Sequence, residues 1–63
     1  MTEKELLYYE DAVGHEKNTI DICRFIIDAI TDDELANFME KQMKKHEEIK
    51  KELICRMEEA ADE

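Results

Sequence analysis

The chain has 63 residues, 43% hydrophobic and 43% charged, with no proline, one glycine, two cysteines and a formal net charge of −9. A chain this short forms one domain at most and buries too little surface to be stable without a metal, disulfides or a partner subunit. Its composition is that of long amphipathic helices, and its acidity argues against nucleic acid and anionic membranes, both of which are bound through basic clusters.

From the N-terminus, Met1 to Glu10 is charged and shows no targeting segment. No apolar run approaches the ~20 residues that cross a bilayer, so a cytoplasmic protein is expected. A first helix is expected over about residues 3–30. It opens on Thr2-Glu3-Lys4-Glu5, where a threonine three residues before a glutamate has the spacing of a capping box. Its seam steps by three and four through Leu6, Tyr9, Val13, Glu16, Ile20, Cys23, Ile27 and Ile30. A second stripe, Tyr8, Ala12, Thr19, Ile22 and Ile26, lies beside it and needs a cover of its own.

No proline or glycine marks the next joint, so a continuous rod has to be weighed against a turn. Continued unbroken, the seam would land on Glu34, Asn37, Lys41 and Lys44, which are surface residues. The apolar pattern restarts out of phase at Leu35 and runs through Met39, Gln42, His46, Ile49, Leu53, Arg56 and Ala60, widened by Phe38, Met43 and Met57. The chain is therefore expected to turn at about residues 31–32 and to form a second helix over about 32–61. Thr31-Asp32-Asp33-Glu34 offers it a second capping box. Glu40 with Lys44 and Glu47 with Lys51 have the spacing of supporting ion pairs on solvated faces. The closing EEAADE sets acid against the negative end of the helix dipole, so fraying is expected there.

These elements specify an all-α fold, a two-helix antiparallel hairpin whose uncovered stripe is satisfied by a copy of itself in a two-fold four-helix bundle. The core and dimer interface are expected from Leu6, Tyr9, Val13, Ile20, Cys23, Ile27, Leu35, Met39, Ile49 and Leu53. A different helical partner on the same stripe is the rival reading. A turn at Thr31 to Asp33 sets Cys23 against Gln42 and Glu16 against Ile49, with His46 about one turn, ~5 Å, from Glu16.

Glu16 and His46 are the residues in the seam that carry chemistry. Two copies would bring two carboxylates and two imidazoles together, credible ligands for iron, zinc or manganese. Against this stands a metal-free pair, because a buried glutamate needs a partner that His46 or Lys45 can supply. HEKNT and HEEIK begin like the zinc-protease signature but have Thr19 and Lys50 where its second histidine belongs. Cys23, Met39, Met43 and His46 are read as core filling rather than a copper site. Cys23 and Cys55 would stand roughly 20 Å apart along the hairpin, beyond disulfide reach. Gly14 permits either close helix approach or water entry beside His15.

GHEK, with Glu16, and the segment from Asp32 to Leu53, DDELANFMEKQMKKHEEIKKEL, together resemble half of a ferritin-like bundle, in particular rubrerythrin-type and spore coat F type chains. Glu16, Leu35, Phe38 and His46 carry the likeness. Ferritin-like di-metal sites place a glutamate three residues before the histidine, whereas Met43 and Ala12 stand three before His46 and His15. The resemblance implies a degenerate site, a structural role and, through the spore coat branch alone, an association with spores. The expectation is a non-catalytic, self-associating structural or interaction protein without a cofactor, with metal binding through Glu16 and His46 as the alternative.

Overall fold

The computed structural model describes residues 1–61. Two helices, α1 (Glu3–Ala29) and α2 (Asp33–Ala61), pack against each other along their length as an antiparallel hairpin, with no strand among the described residues. Its longest dimension is 47 Å, where a rod of the same residues would run to about 90 Å at 1.5 Å each.

α1 starts as its spacing predicts. The Thr2 hydroxyl accepts from the Glu5 backbone N–H at 3.1 Å, and the Glu5 carboxylate accepts in return from the Thr2 N–H at 3.3 Å and the Thr2 hydroxyl at 2.8 Å. These two bonds, side chain first and backbone second, hold the Glu5 carboxyl below the usual carboxylate range. A group so lowered contributes to stability above its unfolded pKa, and the contribution is lost as pH falls through the folded value.

The start of α2 differs from the expected Thr31 box. Asp32 takes the cap: its Oδ1 accepts from the Leu35 N–H at 3.1 Å and its carbonyl from the Ala36 N–H at 2.9 Å. A carboxylate is at least as good a cap as a hydroxyl and also meets the positive end of the helix dipole, so the residue one step later wins. α1 ends at Ala29. Ile30 is already extended (φ −91°, ψ 152°), its N–H still donating to the Ile26 carbonyl at 3.0 Å. Ile30 and Thr31, both β-branched, suit the extended bridge that lets the chain reverse without glycine or proline. At the far end α2 stays helical through Glu58 and Glu59 to Ala61. The fraying expected of EEAADE falls partly on residues 62 and 63, outside the described residues.

The inward row of α1 follows the expected seam, with Ile20 and Cys23 buried and Tyr9, Val13, Glu16, Ile27 and Ile30 half-buried. The inward row of α2 is turned by one position from the expected one. Ala36, Met39, Met43, His46, Lys50, Leu53, Met57 and Ala60 are the half-buried positions that alternate by four and three, with Gln42 of the expected row and Ile54 half-buried beside them, whereas Leu35, Ile49 and Arg56 are exposed. The reason lies in the width of the apolar stripe on α2. Two adjacent rows share Met39, His46, Leu53 and Ala60, and one neighbouring helix can cover only one of them. The methionines Met43 and Met57, with flexible thioethers that fill irregular gaps, face α1. Lys50 enters the same row, where its aliphatic stem can lie along apolar surface with the ammonium in water.

Candidate functional site

The hairpin leaves most of its apolar surface uncovered. Among the described residues only Ile20 (5% exposed) and Cys23 (4%) are buried, while Phe38 is 56% exposed and Ile22 59%. The residues beside the inward rows have a pattern. The exposed Tyr8 and Ile22 and the half-buried Ala12, Thr19 and Ile26 each precede an inward-facing residue of α1, namely Tyr9, Cys23, Val13, Ile20 and Ile27. On α2, Leu35, Phe38 and Ile49 each precede an inward-facing residue in the same way, namely Ala36, Met39 and Lys50. One residue back is a rotation of about 100° in the same sense on each helix. Because the helices run in opposite directions, that rotation turns both stripes to the same side of the pair. The side chains agree: Tyr8 and Ala12 of α1 line one shallow groove with Leu53 of α2, and Leu53 and Ile49 line the next one along. Leu7 and Phe25, two positions from Tyr9 and Cys23, point about 200° round, to the outer side of α1.

The face is thus built from both helices, apolar at Tyr8, Ala12, Ile22, Ile26, Leu35, Phe38 and Ile49 and interrupted by His15, Gln42, Lys45, Glu52 and Arg56 at the equivalent positions, while a further apolar groove is lined by Leu6, Val13, Ile54 and Met57. Thr19 on the face is satisfied locally, its hydroxyl donating to the His15 carbonyl at 3.0 Å. The molecule exposes 5181 Å² at a mass of 7.5 kDa, against roughly 4,250 Å² for a compact monomer of that mass. The surplus, roughly 900 Å², is close to the ~800 Å² that each partner contributes to a standard interface.

At mid-length the two helices are joined by a polar contact. Nδ1 of His46 meets Oε2 of Glu16, with 29% of the histidine side chain and 16% of the glutamate side chain exposed. Glu16 is the middle residue of the 27 in α1 and His46 lies one residue from the middle of the 29 in α2. The expected register had set Glu16 against Ile49 with His46 one turn away; in the hairpin His46 meets Glu16 and Ile49 is exposed. With the proton on Nδ1 the imidazole donates to the carboxylate and keeps Nε2 free, the orientation in which carboxylates steer metal-binding histidines. One chain supplies only these two groups, and among the described residues no three of His, Cys, Asp and Glu gather as a metal cluster.

The remaining residues singled out by sequence take these places. Leu6, Leu35 and Ile49 are exposed, and Met39 and Leu53 are half-buried in the hairpin. Cys23 is a buried free thiol and Cys55 an exposed one. A Cβ at Gly14 would meet nothing within 4 Å and its φ is not positive, so neither close helix approach nor backbone freedom requires glycine there. Lys50 was not singled out by sequence; the signal was the four-three alternation that it completes between His46 and Leu53. No helix among the described residues is long and apolar enough to cross a membrane. No family model, curated protein or solved structure matches the chain.

Proposed function

We propose that this chain is a non-catalytic structural or interaction protein that associates with a second copy of itself through the shared face of α1 and α2, completing a four-helix bundle. The observation that carries the reading is a nearly coreless hairpin with exposed apolar residues on both helices, in a molecule whose total surface exceeds that of a compact monomer by about one partner's share of an interface. A hairpin with two buried side chains has little to offset its chain entropy, and a copy provides the missing half of the core. The Glu16–His46 contact acts within it as a register-fixing polar pair. The likeness to spore coat F type half-bundles, carried by Glu16, Leu35, Phe38 and His46, supports a structural role over a catalytic one, and a cytoplasmic, spore-associated setting belongs to the same proposal.

Sedimentation equilibrium at micromolar concentration tests this directly. The expected mass is twice the 7.5 kDa of the chain. A folded monomer that stays monomeric as concentration rises would remove self-association and leave a different helical partner as the occupant of the face.

A second reading is favoured by the way Glu16 and His46 meet. Both sit at mid-length, so a two-fold copy brings two carboxylates and two imidazoles to one level, enough donors for iron, zinc or manganese. Elemental analysis of protein purified without added ions separates the two. The structural reading expects substoichiometric iron, zinc and manganese, and stoichiometric metal that disappears in His46→Ala would replace it with the metal-binding one.

A further inference from the structure

The opposite side of the hairpin carries a groove of its own at the open end. Leu6 and Val13 of α1 and Ile54 and Met57 of α2 line it, with Glu10 and Glu58 as its polar members. Glu10, Ile54 and Glu58 each follow an inward-facing residue, namely Tyr9, Leu53 and Met57, a rotation of about 100° opposite in sense to that of Tyr8 and Ile49. The groove is therefore open whether the chain is single or paired through Tyr8 and Ile22. We infer that it docks a basic amphipathic helix of another protein, whose apolar side chains sit between α1 and α2 while its lysines or arginines reach Glu10 and Glu58. This does not rest on the self-association proposed above.

The shape fits a helix. From Leu6 to Val13 the α1 wall runs two turns, about 10 Å, which gives room for two apolar side chains one turn apart, the spacing with which a helix anchors itself in a groove. Leu6 is 38% exposed, and Val13, Ile54 and Met57 are half-buried, so both walls still have apolar surface to remove from water.

Charge selects the kind of helix. Among the described residues neither Glu10 nor Glu58 takes part in an ion pair. The cations at this end are engaged elsewhere: Lys4 lies over the Tyr8 ring at 5.9 Å, and Arg56 pairs with Glu52 at 3.1 Å beside Ile49 and Leu53, both on the other side. Lys51 borders the next groove along α2 with Glu47 and stands two turns, ~10 Å, from Glu58. The last turn of α2, which holds Glu58, has no basic residue, so a carboxylate and the negative end of a helix dipole face solvent together. An uncharged apolar partner would strip water from both carboxylates without replacing it, and an acidic one would be repelled. A second copy offers no basic stripe either. Its exposed Ile49 has Glu48 and Glu52 beside Lys45 and Arg56, and its net charge is −9.

The probe is a helical peptide of leucine and lysine, about four turns or ~20 Å long, titrated into the isotope-labelled full chain and followed through its amide resonances. The resonances of Leu6, Glu10, Ile54 and Glu58 are expected to shift and saturate together. Glu10→Gln with Glu58→Gln is expected to weaken binding about fivefold. Asp11→Asn with Glu48→Gln makes the same change in net charge at exposed positions outside the groove, and is expected to weaken it less than about twofold. All four positions are exposed, so both variants are expected to keep the fold. Equal weakening by the two pairs would reduce the binding to diffuse charge attraction. Saturation at Tyr8, Ile49 and Leu53 would move the helix to the other side, and equal binding of a leucine–glutamate peptide would remove the charge selection. Any of these results, or no binding at all, overturns the inference while leaving self-association to its own test.

Discussion

Ile22→Glu combined with Phe38→Glu is expected to raise the dissociation constant of the proposed dimer by at least ~10²-fold, leaving a chain that is monomeric at micromolar concentration and has lost most of its helical signal. In a lone hairpin both residues are more than half exposed, and charged replacements at exposed helix positions change stability by only about 0.5 kcal/mol. In the proposed dimer they are core. Burying a large apolar side chain completely is worth about 1.5 to 3 kcal/mol, and with 59% of Ile22 and 56% of Phe38 left to cover, two from each chain make about 3.5 kcal/mol at the lower bound, which is about two and a half decades of affinity. Leu7→Glu with Phe25→Glu is the matched control, removing comparable apolar surface from the outer side of α1, where Phe25 is 73% exposed. That pair is expected to leave the sedimenting mass unchanged. Equal loss of association in both double variants would show that hydrophobicity in general, and not this face, holds the copies together.

The control depends on which side of each helix faces inward, and the sequence was informative to different degrees on the two helices. On α1 the seam from Tyr9 to Ile30 was legible because its three-four alternation is carried by larger apolar residues than the stripe of Tyr8, Ala12, Thr19, Ile22 and Ile26 beside it, with the buried pair Ile20 and Cys23 within it. On α2 two rows compete, one through Leu35 and Ile49 and one through Met43 and Met57, and periodicity ranks a row by its hydrophobicity without knowing which neighbour it meets. The first row has the bulkier Leu35 and Ile49 but also Gln42 and Arg56, whereas the second adds Ala36, Met43 and Met57 with Lys50 as its one charge, and the hairpin uses the second. The choice follows from having two surfaces to satisfy: a methionine row can mould itself to a single neighbour, and the branched row remains for a second. The turn was legible to within a residue because its signal was a change of phase. The cap was missed by one position because Thr31 and Asp32 are both good caps and spacing alone does not separate them.

The candidate polar centre was legible in part for a related reason. Glu16 stood out because it breaks an apolar seam, and a polar residue in such a place needs a partner. His46 was within a turn of it in the expected register and belongs to both rows of α2, and in the hairpin its Nδ1 meets the carboxylate. Spacing along a helix gives height to within a turn; whether two side chains meet depends on rotation about the helix axis, which is set by tertiary packing.

The pair makes the second large prediction, in which its two halves are expected to behave oppositely. His46→Ala leaves the Glu16 carboxylate, 16% exposed, without its partner, and an orphaned polar group in such a place costs about 1 to 3 kcal/mol. At about 4 to 8 °C per kcal/mol for a domain of this size, Tm falls by about 5 to 20 °C. Glu16→Leu removes the carboxylate itself and fills the seam with a side chain that the neighbouring Ile20 already shows to be acceptable there, so Tm holds or rises, as when ion pairs in low-dielectric sites are replaced by well-packed apolar residues. The histidine left behind is 29% exposed and can turn its nitrogens to water. What Glu16→Leu gives up is uniqueness: an all-apolar seam tolerates sliding by a turn, and the distribution of distances between labels at Thr31 should broaden although the protein is no less stable. Thermal melts of metal-free protein decide the sign. A large loss of stability in Glu16→Leu under those conditions would mean that the carboxylate holds the fold together rather than its alignment, and the register-fixing role would have to be abandoned.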